Sequence, residues 1–184
     1  MVEFSDYGGQ IEYRGRVLHT LIGRYVLREE FMLLLTPDTS DICKGLATWN
    51  WLDFSKKTFL VANLFGDMFF ESNEGIYFFD MLEGTLTVIA ADKIELQSIL
   101  NTKQGQEQFL MVSLVTGARD KGFMLSKNEC YDFIIPPCLG GESSVGNLQV
   151  LPFLSKLEAT GAIYSQIKDL PIGTEITSVE LART

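Results

Sequence analysis

Histidine, cysteine and basic side chains are scarce in this sequence, and each shortage excludes something. The 184 residues contain one histidine, His19, and three cysteines, Cys43, Cys130 and Cys138. No CxxC pair exists and a lone histidine cannot form an HxxxH pair, so the usual spacings of a zinc site are missing. Any triad built on a serine or cysteine nucleophile would have to recruit His19 as its base. We read His19 as an ordinary surface or satisfied histidine and expect neither a metal site nor a cofactor. An odd cysteine count without close spacing argues against a disulfide framework and fits a reducing compartment. The opening Met1-Val2-Glu3-Phe4-Ser5-Asp6 has neither a basic nor an apolar leader region, so the expected localisation is cytoplasmic.

Fifteen basic residues stand against twenty-four acidic ones, a net charge of −9. That balance argues against a broad basic face for nucleic acid and against an anionic membrane surface. Long apolar runs are also absent. Phe31 to Leu35 and Phe109 to Val112 fall far short of the roughly 20 residues that span a bilayer. The dinucleotide fingerprint, the P-loop, HExxH and the nucleophile elbow do not occur. What remains is globular in composition, with 46% hydrophobic and 21% charged residues. A chain of this size can bury about 70% of its unfolded surface without a covalent staple.

The clearest local pattern lies between residues 58 and 90. Thr58 to Asn63, Phe65 to Glu71, Ile76 to Asp80 and Thr85 to Ala90 read as four strands. Turn residues around Gly66, Gly75 and Gly84 punctuate them. The third strand is apolar at both parities, so both of its faces are expected to be covered. Upstream, Phe31 to Leu35 reads as a buried strand before Thr36-Pro37-Asp38. A helix then carries Ile42, Leu46 and Trp49 on one face. Trp49 and Trp51 cannot share a helix face, which leaves one of them as a possible exposed platform.

Downstream, Asp92 to Leu100 reads as a short helix. A second helix is capped at Asn101 or Thr102 and runs to about Ala118. Tyr131 to Ile135 reads as a strand stopped by Pro136-Pro137, and Gly140 and Gly141 as turn formers with positive φ. A strand over residues 147–153 follows. Ser155 and Glu158 have capping-box spacing, and Gly161 in the helix they open marks a close approach. Thr174 to Leu181 reads as a last strand. The whole is expected to be a single α+β domain, an antiparallel β-meander with packed helices.

Charge is unevenly placed. Residues 61–100 hold Asp67, Glu71, Glu74, Asp80, Glu83, Asp92 and Glu95 against Lys93 alone, which is −6 of the total. Asp67, Glu71, Glu74, Asp80 and Glu83 are therefore candidates for contact with a basic partner. The same residues could simply keep a phenylalanine-rich sheet soluble. Paired carboxylates among Asp67, Glu71 and Asp80 could serve acid–base chemistry if a cleft perturbed their pKa values. Cys138, before Leu139-Gly140-Gly141, could be a nucleophile only with a distant base. No catalytic residue is assigned.

The order of short motifs resembles a known family. Phe65-Gly66-Asp67, Gly75-Ile76-Tyr77 and Glu83-Gly84 come first, then Pro137-Cys138-Leu139-Gly140-Gly141-Glu142. Asn147-Leu148-Gln149-Val150 and Leu170-Pro171-Ile172-Gly173-Thr174 complete the order. Together they are similar to the C-terminal domain of bacterial type VI secretion DNase-immunity proteins. Tyr13-Arg14-Gly15-Arg16 and Leu35-Thr36-Pro37 resemble a reduced GAD-like part before it. The resemblance implies a GAD-like segment over residues 1–60, packed on an immunity-type domain over residues 61–184 as one structural unit. It further implies a cytoplasmic, non-enzymatic protein that neutralises a cognate basic toxin, a nuclease. The alternatives are a regulatory or scaffolding module and a carboxylate-based hydrolase.

Overall fold

Adjacent phenylalanines on adjacent strands organise the core. The computed structural model describes residues 33–171 and 173–180. His19, Tyr13 to Arg16, Phe31, Ile172 and Leu181 lie outside the described residues. Five antiparallel strands form one sheet in sequential order: β1 (Leu34–Leu35), β2 (Thr58–Asn63), β3 (Met68–Ser72), β4 (Gly75–Asp80) and β5 (Thr85–Ala90). In the central pair, Phe69 opposes Phe78 and Met68 opposes Phe79. Side chains alternate between the faces of a strand, so each Phe-Phe dipeptide sends one ring to each side.

Both faces are covered, as the apolar third strand implied. On one side, Phe69 and Phe78 meet Phe109, Leu96, Leu110 and Val115 from three helices: α2 (Lys93–Leu100), α3 (Lys103–Leu110) and α4 (Val112–Asp120). A two-stranded ribbon, β6 (Glu129–Phe133) with β7 (Leu148–Pro152), adds Tyr131, Phe133 and Leu148 to this core. On the other side, Phe70 and Phe79 meet α1 (Thr39–Leu46) and α5 (Phe153–Ile167) through Ile42, Leu46, Leu157 and Tyr164. Trp49 ends a 3₁₀ turn after α1. It is buried, stands edge-on to Phe79 with centroids 4.7 Å apart and donates from Nε1 to the Leu157 carbonyl at 3.0 Å. Trp51 is half-buried beside it, with ring centroids 5.3 Å apart. Gly161 of α5 takes this approach: a Cβ there would lie 2.1 Å from Thr48 Oγ1.

Four expectations need correction. The helix expected from residue 102 to 118 is two helices, broken where Met111 adopts a left-handed φ of 50°. Thr102 does cap its start, accepting from Gly105 N. At the break, the Phe109 carbonyl accepts from Asn63 Nδ2, and Glu107 takes both the N–H and the hydroxyl of Ser113. Side chains thus satisfy groups that a continuous helix would pair internally.

The other three corrections concern ends. Ser155 and Glu158 form no capping box, because α5 starts at Phe153, directly after Pro152 fixes an extended backbone. Strand β6 stops at Phe133 rather than Ile135. Residues 174–180 form no strand; Gln166 instead clasps the backbone N–H and carbonyl of Glu180.

Candidate partner interface

The predicted acidic residues do not form one surface. Asp67 is 1% exposed and lies in the turn before β3, not within the strand expected over Phe65 to Glu71. Its Oδ1 accepts from Met81 N and its Oδ2 from Asn63 Nδ2, both at 2.9 Å. Asn63 is saturated in turn, since its Oδ1 accepts from Phe65 N and Asp67 N. Burial pushes the Asp67 carboxyl up to about 6. Nearby Asp80 adds to the rise, while Lys156 and the two hydrogen bonds oppose it. Asp67 is a core side chain, unavailable to a partner.

The remaining four carboxylates divide between opposite ends of the meander. Glu74 sits in the β3–β4 turn and Glu83 in the β4–β5 turn. The six residues of β4 separate them by about 20 Å. At the first end the charge is offset. Glu71 pairs with Lys93 at 2.6 Å, Glu74 accepts from the Tyr77 hydroxyl, and Lys57 Nζ lies 4.3 Å above the Tyr77 ring.

The second end is less compensated. Asp80 Oδ1 caps the β4–β5 turn by accepting from Leu82 N at 2.8 Å and Glu83 N at 3.0 Å. Burial raises its pKa against those bonds. Glu83 is exposed. Gly84, at φ 63°, permits the turn and lets the Tyr164 ring lie against it, and the Tyr164 hydroxyl donates to the Leu82 carbonyl. Met81 and Leu82 share a water-sized crevice with Asp132, Pro136, Pro137 and Cys138. Asp67, Asp80 and Glu142 do not line it, so no carboxylate pair faces a substrate there. Burial raises the Cys138 thiol, which leaves it protonated at neutral pH and a poor nucleophile.

A buried lysine pins this end together. Lys156 on α5 is 1% exposed, and its ammonium donates to the carbonyls of Phe65 and Tyr131 at 2.6 and 3.0 Å. Its third partner is Asp132 Oδ1 at 3.2 Å. All three protons are thus placed. Burial alone would depress the ammonium; Asp132 leads the interactions that outweigh it and hold its pKa above the usual value.

The loop after β6 is equally well held. Ile134 N donates to the Asn147 carbonyl at 2.7 Å. The Asn147 side chain then replaces the sheet ladder: Oδ1 accepts from Ile135 N at 3.0 Å, and Nδ2 donates to the carbonyls of Ile135 and Glu142 at 2.8 and 2.9 Å. This exchange ends the strand two residues early. Gly66, Gly75, Gly84 and Gly140 have positive φ, as expected of turn formers, but Gly141 does not. Its need is space, because a Cβ would lie 1.8 Å from the Ile135 carbonyl oxygen.

Among the described residues no helix is long and apolar enough to cross a membrane. Cys43, Cys130 and Cys138 are free thiols. Neither Lys156 nor Asn147 stood out in the sequence. The one signal for Asn147 was its place in the motif Asn147-Leu148-Gln149-Val150, and nothing nearby flags Lys156 as buried.

No curated protein matches the chain. A family model does match residues 95–157, and it describes the T6SS immunity protein Tdi1, C-terminal. The matched stretch takes in α3, α4, the β6–β7 ribbon and the loop between its strands. It also includes Asp132, Asn147 and Lys156, the residues that pin and latch the second end. Over residues 95–157 this α+β chain is thus similar to the C-terminal part of the type VI secretion immunity protein Tdi1, in line with the resemblance of its motifs.

Proposed function

We propose that this protein binds a cognate secreted toxin, a basic nuclease, and neutralises it by occupying its surface rather than by chemistry of its own. The observation that carries this reading is the immunity-family match over residues 95–157. The site chemistry is compatible with it. Asp67 has both oxygens engaged, Cys138 is protonated, and the crevice beside them is water-sized.

Of the acidic candidates, Glu83 is the better contact for a basic partner, since Asp80 is partly buried and capped into its own turn. Glu71 and Glu74 already engage Lys93 and Tyr77. The pairing of β1 with β2 and the seating of Gly45 of α1 against Leu157 of α5 favour one structural unit from residue 33 onward.

The test is a titration of the chain with the protein encoded immediately upstream, held catalytically inactive. A 1:1 complex whose association rate falls as salt rises is the expected result. Absence of a complex overturns the reading and leaves a regulatory or scaffolding module.

A further inference from the structure

Ile134 and Ile135 are adjacent, and they are 58% and 54% exposed. Single exposed aliphatics are ordinary on a protein surface. These two differ because the backbone that presents them is fixed. Four hydrogen bonds tie Ile134, Ile135 and Glu142 to Asn147, and Gly141 N closes the loop by donating to the Pro136 carbonyl at 3.1 Å. Pro136 and Pro137 follow directly, restricting φ and offering no N–H. β-Branched side chains on a fixed backbone lose little freedom when they are covered. An exposed apolar pair held in one conformation is thus preorganised for burial against another surface.

The surroundings state the chemistry of that surface. Pro136 and Pro137 share the crevice with Asp132 and with Leu82 of the β4–β5 turn, so the loop abuts the turn that carries Asp80 and Glu83. Glu83 and Glu142 are exposed, and Asp80 and Asp132 are partly so. The cation that meets Asp132, Lys156, is fully buried. Exposed acidic residues thus lie on the same loop as the two isoleucines and on the turn it abuts, and the complementary surface is an apolar recess flanked by lysine and arginine.

We infer that Ile134 and Ile135 are the apolar anchor of the toxin interface, with Glu83 and Glu142 as its charged rim. This rests on the immunity reading, and the experiment separates the two. The dissociation constant for the inactive toxin is measured for the wild type, for Ile134→Asp/Ile135→Asp, for the milder Ile135→Thr and for Ile94→Asp. Ile94 is 75% exposed on α2, beyond the end of the meander remote from Glu83. Thermal melting checks that each variant is folded, and gel filtration reports the size of the chain alone.

The double variant is expected to bind roughly thirtyfold or more weakly with its melting unchanged. Ile135→Thr, which keeps the β-branch but replaces the ethyl arm with a hydroxyl, should weaken binding about fivefold, and Ile94→Asp less than about twofold. If the double variant fails to fold, Ile135→Thr decides alone, and unchanged affinity there overturns the anchor. Wild-type affinity in a folded double variant also overturns it while leaving the immunity reading intact. A wild-type dimer that the double variant dissolves without loss of toxin binding makes the patch a self-association surface and overturns it too. Failure of the wild type to bind the toxin overturns the immunity reading, and the anchor with it.

Discussion

Replacing Lys156 with methionine tests the pin most sharply. Methionine keeps most of the volume and the unbranched shape but removes the three protons. The Phe65 and Tyr131 carbonyls lose an ammonium donor, and Asp132 loses its cation. Breaking a buried ion pair by removing one partner costs about 3–5 kcal/mol, and a buried acceptor left unmatched about 1–3 kcal/mol. The Asp132 side chain is 16% exposed, so water can rehydrate its carboxylate and the lower part of that range applies. We expect a loss of about 3–4 kcal/mol. With a urea m-value of about 2–3 kcal/mol/M, the midpoint should fall by roughly 1–2 M. Urea unfolding of both proteins, followed by tryptophan fluorescence, reads this directly because Trp49 is buried in the second core. A midpoint within about 0.3 M of wild type, or a stabilised variant, would refute the pin. It would mean that the desolvation of Lys156 cancels everything its hydrogen bonds contribute.

Three further outcomes follow from the same geometry. Gly161→Ala would place a Cβ 2.1 Å from Thr48 Oγ1 and 2.8 Å from Trp49 Nε1; it should lower stability by about 1–3 kcal/mol, measurable by urea unfolding. Asp67 is faced by Asp80 and Lys156 and holds its proton up to about 6 in the fold, against an ordinary value of 3.8. The folded state therefore binds more protons between those values, and stability falls as pH rises through about 4 to 6. A urea midpoint series should show that contribution in the wild type and lose it in Asp67→Asn. Reversing Glu83 to lysine should slow toxin association several-fold at low salt, whereas Glu74→Lys should change it less than about twofold; stopped-flow mixing distinguishes them.

The sheet was legible because its signals are local. Short turns and an apolar run at both parities identify β2 to β5 and place protein on both faces of β4. Gly161 was legible as a close approach because an interior helical glycine needs a reason. The failures came where a side chain from elsewhere takes over a backbone group. Asn63 captures the Phe109 carbonyl at the break between α3 and α4, and Asn147 ends β6 before the two isoleucines. Neither partner is near in sequence, and neither break carries a glycine or proline. Asp67 was misplaced because the strand read as Phe65 to Glu71 begins only at Met68, which leaves Asp67 in the turn before it. Counting acidic residues over 61–100 located charge along the chain, but β4 then carries Glu74 and Glu83 to opposite ends.

Neutralisation of a toxin by binding is measured most directly by survival. Cells producing the active form of the upstream-encoded toxin are scored with this chain co-expressed and without it. Growth is expected only when the chain is present, through a complex that co-purifies. Continued killing, with the chain folded and in excess over the toxin, would contradict neutralisation by binding.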